Sequence, residues 1–177
     1  MKDIYEQLRE RLDTLSTGFP ATGGSLEIKV LRKLFSMDNA ELFLKLTPML
    51  ETPEEAAARL SADVAIMAEK LEDMAKRGLL FRLRKKGIAR YSAIPYVIGI
   101  MENQVGRLDG DIAALMEKYF EAGFGKTLAS TKTPLMRTVP VNRDIAQQWP
   151  VATYDDVMTT LDGQSSIMVT ECICRKT

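Results

Sequence analysis

Histidine is missing altogether from the 177 residues. Its absence removes Ser-His and Cys-His nucleophilic catalysis, haem ligation by histidine and the mixed Cys/His zinc sites at one stroke. Any metal chemistry must therefore use thiolates or carboxylates. Thiols are scarce too: Cys172 and Cys174 are the only two, so no disulfide framework holds the chain, and a chain of this length buries a core without one. Charge of one sign is not in excess either. Twenty-four basic residues balance 24 acidic ones, which argues against a strongly basic nucleic-acid binder and against a disordered acidic chain. No apolar run approaches the roughly 20 residues needed to span a bilayer. The opening MKDIYEQLRERLD lacks the apolar core of a signal peptide. The expectation is a cytoplasmic protein with no membrane partner.

Several amphipathic segments are present. In DIYEQLRERLDTL, Ile4, Leu8, Leu12 and Leu15 recur at helical spacing, and STGFPATGG reads as a loop after them. Ser25 is the expected N-cap of a second helix whose core face is Ile28, Leu31, Leu34 and Phe35. NAELFLKLTPML gives a short third helix that stops before Pro48. In ETPEEAAARL, Thr52, Pro53 and Glu55 form a capping box with proline in the first helical position. Next, Val64, Met67, Ala68, Leu71, Met74 and Ala75 mark a longer helix that Gly78 ends. The ten methionines of the chain sit mostly at such core spacings and read as packing rather than as soft-metal ligands.

After Gly78 the period changes to two. Leu79, Phe81 and Leu83 alternate with Arg82 and Arg84, the chain turns at KKG, and it returns through Ile88, Ala89 and Tyr91 as a hairpin. Helices followed by a basic hairpin are the order of a winged helix-turn-helix. Further on, Ile112, Leu115, Met116, Tyr119 and Phe120 share one helical face, and TYDDVMTTLDG is a short helix capped by Thr153. PLMRTVPV and SSIMVTECICR have the β-branched density of strands. The predicted fold is α+β, mainly α: a winged helix-turn-helix unit followed by a small α/β tail module with a short antiparallel sheet. The expected divisions are an N-terminal helix and loop (1–24), the winged-helix-like domain (25–94) and the tail module (95–177).

Two motifs invite a binding function. GFGKT at 123–127 looks like the end of a phosphate-binding loop, but that loop needs glycine where Phe120 stands, and it follows a strand rather than a helix. Nucleotide binding is set aside. Residues 25–94 carry 13 Lys or Arg against 10 Asp or Glu, a net charge of +3, and the hairpin supplies Arg82, Arg84, Lys85, Lys86 and Arg90 with no acid among them. A wing that touches phosphates has this composition. The outer face of the preceding helix opposes it, with Glu69, Lys70, Glu72, Asp73 and Lys76, because carboxylates repel DNA. A solvated face and a protein-docking surface stand beside DNA binding as readings of this unit.

On a strand, Cys172 and Cys174 would project to one face with sulfurs roughly 6–7 Å apart. That suits a metal centre of more than one atom and does not suit a disulfide. Arg175 and Lys176 would favour the thiolates and offset cluster charge. Two buried, inert core cysteines are the alternative.

YEQLRERLD, EIKVLRKLFSMDNAELFLKL, TPEEAAARL, LEDMAKRGLLFR, YSAIPYVIGIMENQ, YFEAGFG, TPLMRTVPV and above all ECICR give the chain a resemblance along nearly its whole length. It resembles iron-sulfur proteins of anaerobic and metal-reducing prokaryotes with four-iron four-sulfur, ferredoxin-type cluster-binding domains. In that family a winged-helix-like region precedes a Cys-x-Cys-Arg element and further cysteines. The resemblance implies that Cys172 and Cys174 are the first ligands of an iron-sulfur region. The later cysteines of the family pattern are not in this sequence, and a cubane cluster takes four thiolates as a rule. The chain thus reads as the N-terminal part of a longer iron-sulfur protein, with the 4Fe-4S cluster belonging to that parent and none expected on this chain alone.

Two functions follow from these residues. In the first, the parent transfers electrons, and this region docks a redox partner protein or joins a second copy. It has no acid-base catalyst and is at most a component of an oxidoreductase. In the second, less favoured reading, the winged helix binds DNA through Arg82, Arg84, Lys85, Lys86 and Arg90, and the cysteines sense redox state.

Overall fold

A computed structural model describes residues 2–130 and 153–172. Five helices open the chain: α1 (Ile4–Asp13), α2 (Leu26–Leu34), α3 (Met37–Lys45), α4 (Pro53–Leu60) and α5 (Val64–Lys76). A hairpin follows, β1 (Leu80–Lys85) and β2 (Ile88–Ala93), then α6 (Gly110–Tyr119), α7 (Gly125–Ser130) and α8 (Tyr154–Asp162). The protein is α+β and mainly helical, and the two-stranded antiparallel hairpin is the sheet among the described residues.

The helix starts show how local chemistry sets the elements. Thr52 accepts from the Glu55 amide at 3.2 Å, and Glu55 accepts from the Thr52 amide at 2.7 Å, so the expected capping box forms with Pro53 in the first turn. Ser25 does not cap α2. It adopts a left-handed backbone, φ +50°, and makes no side-chain cap bond. The Leu26 amide instead donates to Thr22 Oγ1 at 3.0 Å. Thr22 is held in turn by Glu27, whose buried carboxylate accepts from the Thr22 amide at 3.0 Å and its hydroxyl at 2.6 Å. The reciprocal logic of a capping box is preserved with the threonine moved three residues upstream.

α1 packs on α2 and α3, α2 on α6, and α4 on α5. Leu8, Leu12, Leu31, Phe43, Leu71 and Met74 have essentially no exposed surface. Tyr5 is buried as well: its hydroxyl donates to Phe35 O at 3.1 Å, and the Arg32 guanidinium lies 4.6 Å from its ring centre. Val64 is not part of this core, nor is Phe120. The methionines divide: Met67, Met74 and Met116 are buried, whereas Met37, Met49, Met158 and Met168 are exposed. Core spacing thus accounts for fewer of them than the sequence suggests.

The core continues past Ile94. Phe19 is fully buried from the first loop, with its ring 4.6 Å from Tyr96 and 4.9 Å from Tyr119. Thr17 Oγ1 donates to Val97 O at 2.7 Å, and the Tyr119 hydroxyl donates to Pro20 O at 3.0 Å. Residues of all three sequence divisions therefore share one apolar interior.

The hairpin register pairs Leu80 with Ala93, Arg82 with Tyr91 and Lys85 with Ile88. Its two-residue turn carries positive φ at both Lys86 (+51°) and Gly87 (+80°), the geometry whose twist matches an antiparallel pair. Glu51 and Tyr91 exchange backbone hydrogen bonds at 2.9 and 2.8 Å, so the chain before α4 forms a bridge along the free edge of β2. At Gly78, φ +74°, an added Cβ would come within 2.6 Å of Asn103 Cβ and 2.8 Å of Asn103 O, so the helix end needs glycine for its backbone and for its space.

The tail differs from expectation. α8 starts at Thr153 as its capping signal indicates. Residues 165–172 form no strand: Ile167, Met168 and Val169 are exposed, and no neighbouring strand pairs with them. β-branched density favours a strand only where a partner supplies ladder hydrogen bonds and a surface to pack on. The predicted strand in PLMRTVPV lies outside the described residues.

Candidate functional site

The basic hairpin is built differently from a free cationic wing. Because the two-residue turn places Arg82 opposite Tyr91 and Arg84 opposite Ala89, these side chains share the face turned towards α5. There they meet Glu72. Arg82 Nη1 donates to Glu72 Oε1 at 2.7 Å, the Tyr91 hydroxyl donates to Glu72 Oε2 at 2.7 Å, and Arg84 Nη2 lies 3.7 Å from the same carboxylate. Lys76 Nζ completes the surround at 3.8 Å. The Tyr91 hydrogen bond, opposed by partial desolvation and reinforced by the three cations, holds the Glu72 carboxyl below the usual range. Tyr91 moves the other way, pushed up to about 12 by burial and by the adjacent carboxylate. It remains a donor throughout the neutral range.

Arg90 is engaged elsewhere. Its Nη1 donates at 3.1 Å to Glu55 Oε2, the same oxygen that closes the α4 capping box. Of the five residues proposed from sequence to touch nucleic acid, Arg82, Arg84 and Arg90 are thus bound to carboxylates of the helical body. Lys85 and Lys86 stand exposed at the turn without an ion pair to a described residue. The structure does not gather the five into one open cationic surface.

The opposite face of the hairpin is open and carries three apolar side chains beside Arg90, Lys85 and Ser92. Phe81, Leu83 and Ile88 lie on it with 48, 41 and 55 % of their surfaces exposed. The alternation in the sequence marks two faces of a hairpin, and the ordinary rule is that the apolar one points inward. Here the rule inverts, because Tyr91 and Glu72 claim the inner face. The turn register was legible in KKG and places Arg82 beside Tyr91. Nothing in the sequence singles out Glu72 as their common acceptor.

Cys172 is exposed and free, with its thiol in no disulfide and its backbone in no strand. The alternative of an inert core cysteine does not hold for this residue. Cys174, Arg175 and Lys176 lie outside the described residues. Among the described residues no group of three or more Cys, Asp or Glu side chains comes together as a metal site. Cys172 can offer one thiolate to a metal, and the described residues do not complete a ligand set around it.

A third feature was not visible in the sequence at all. A half-open cavity of about 590 Å³ lies along α6, walled by Tyr96, Met101, Leu108, Met116, Tyr119 and Phe124. Its size falls in the range of small-molecule pockets. It depends on the packing of α6 against a segment some twenty residues earlier, which no periodicity encodes.

No protein-family model matches the chain, and no curated protein or solved structure matches it either. Among the described residues, no helix is long and apolar enough to cross a membrane.

Proposed function

We propose that this chain is the docking region of a four-iron four-sulfur electron-transfer protein, built on a winged-helix-type body, with Cys172 and Cys174 as the first two cluster ligands. The observation that carries the docking role is the hairpin: its arginines are neutralised against Glu72 and Glu55, while Phe81, Leu83 and Ile88 face outward. A nucleic-acid surface needs the reverse, cations outward and apolar groups inward. Lys85 and Lys86 at the rim of the apolar face favour a partner protein whose own apolar patch is edged by carboxylates. The winged-helix reading is supported by the element order and by the Glu51–Tyr91 bridge, which occupies the place of the short strand beside the wing.

The cluster reading rests on the Cys-x-Cys-Arg resemblance and on the exposure of Cys172. Four thiolates hold a cubane as a rule, so two further ligands come from outside this sequence. Anaerobic reconstitution with ferrous iron and sulfide, with a small-molecule thiol filling the remaining positions, should give a brown product containing iron and acid-labile sulfide. Cys172→Ala and Cys174→Ala should each abolish it. A colourless, iron-free wild-type product overturns the cluster reading. The docking role has its own test, retention on duplex DNA at about 50 mM salt. No retention is expected; salt-sensitive binding lost in the K85A/K86A variant would make the chain a DNA-binding regulator instead.

A further inference from the structure

Tyr96 lines the cavity along α6 and carries a hydroxyl that the fold leaves unused. The residue is 1 % exposed. Its ring is fixed by Phe19 at 4.6 Å and by an edge-on contact with Phe124 at 5.6 Å. Its neighbour Tyr119 satisfies its hydroxyl on Pro20 O. The Tyr96 hydroxyl makes no hydrogen bond to a described residue, and it is not among the side-chain atoms sealed off without a partner. It is therefore reachable while the rest of the residue is enclosed. A hydroxyl so held can donate to an occupant of the cavity that presents an acceptor.

The rest of the wall defines that occupant. Met101, Leu108, Met116, Phe120 and Phe124 are apolar, two alanines of α6, Ala113 and Ala114, leave room at the mouth, and Glu117 is the ionisable carboxyl. No cation stands among the described wall residues. Burial, together with the Glu102 carboxylate, raises the Tyr96 phenol far above its ordinary value, so it donates and does not accept charge at neutral pH. An anionic ligand would meet Glu117 with no cation to offset it.

We infer that this cavity is a binding site for a neutral aromatic or polycyclic small molecule bearing one carbonyl oxygen, which the Tyr96 hydroxyl recognises. The site is independent of the cluster and docking readings. It uses no residue assigned to either, and no covalent or redox step is involved.

Three naphthalenes of nearly equal size separate the contributions: neutral 2-acetylnaphthalene, the hydrocarbon 2-ethylnaphthalene and anionic 2-naphthoate, each titrated calorimetrically into the full chain. The ketone should bind with one site per chain, the hydrocarbon several-fold more weakly and the anion weakest. Tyr96→Phe keeps the ring packing and should weaken the ketone about 5- to 10-fold, the worth of one hydrogen bond, while leaving the hydrocarbon unchanged. Ala113→Trp, at an exposed position of α6 where the fold tolerates it, should block all three. Thermal melting of both variants confirms that each is folded. Failure of the ketone to bind wild-type protein overturns the site. Undiminished binding to Ala113→Trp places the ligand elsewhere and overturns it equally. If Tyr96→Phe weakens ketone and hydrocarbon alike, recognition by the hydroxyl is overturned.

Discussion

Helices α4 and α8 begin with the same device and end in opposite situations. Thr52 with Glu55, and Thr153 with Asp156, both close reciprocal capping boxes. α4 then buries Ala56 and Ala57 against α5. α8 has a comparable stripe, Tyr154, Val157, Met158 and Leu161, yet none of its residues is buried. Capping decides where a helix starts; it does not decide whether the helix has a neighbour. The difference lies in what surrounds each stripe. α4 is followed after a three-residue turn by α5, whose Met67, Leu71 and Met74 form a ready apolar surface. Local and tertiary contributions to helix stability are thus separated within one chain.

The sharpest way to break the comparison is to truncate one leucine in each region. Leu71→Ala removes a fully buried side chain and should cost about 2–5 kcal/mol in chemical denaturation. Leu161→Ala, on the open stripe of α8, should stay within about 0.5 kcal/mol. Equal losses would mean that α8 is packed in solution.

A smaller effect is expected from the caps. Thr52→Ala should lower global stability by about 1 kcal/mol, because α4 is part of the cooperative core. Thr153→Ala removes the bonds of the Thr153 hydroxyl to Asp156, but should appear as faster amide exchange in α8 with the global midpoint unchanged.

Acid sharpens the contrast further. Glu72 and Asp156 are both held below their ordinary values, Glu72 chiefly by the Tyr91 hydroxyl and Asp156 by Thr153. A depressed carboxyl stabilises the folded state fully above its unfolded value, about 4.3 for Glu and 3.9 for Asp. That contribution is lost as pH falls through the lower folded value. For Glu72 the loss should appear in the global unfolding midpoint, and Glu72→Gln should remove it, together with the anchoring of Arg82 and Arg84. For Asp156 it should appear only as fraying of α8 by circular dichroism.

Much of the helical frame was legible because its signals are short-range. The α4 capping box, the stop at Gly78 and the hairpin turn at Lys86-Gly87 each need only a few consecutive residues. Ser25 failed as a cap for an equally local reason: Glu27 secures Thr22, and the Leu26 amide is already taken. Which hairpin face turns inward was not legible, because hydropathy names an inner face only when nothing polar competes for it. Tyr91 and Glu72, 19 residues apart, settle that competition, and their encounter depends on the docking of the hairpin on α5. The cavity is more remote still, since it joins Tyr96 to a helix that starts at Gly110. Of the proposed cluster ligands, Cys172 proved accessible, and the strand expected to align it with Cys174 is not formed over the described residues.

The aromatic trio of Phe19, Tyr96 and Tyr119 bears on the order of assembly. The helices and the hairpin are closed by contacts near in sequence, whereas Thr17 meets Val97 across 80 positions and Tyr119 meets Pro20 across 99. Closing such long loops costs entropy that is recovered only when the distant surfaces finally meet. Contact order therefore predicts that the wall behind the cavity forms late in folding. In these terms the first loop and the stretch from Tyr96 to Tyr119 are expected to order together, since each supplies the surface on which the other closes.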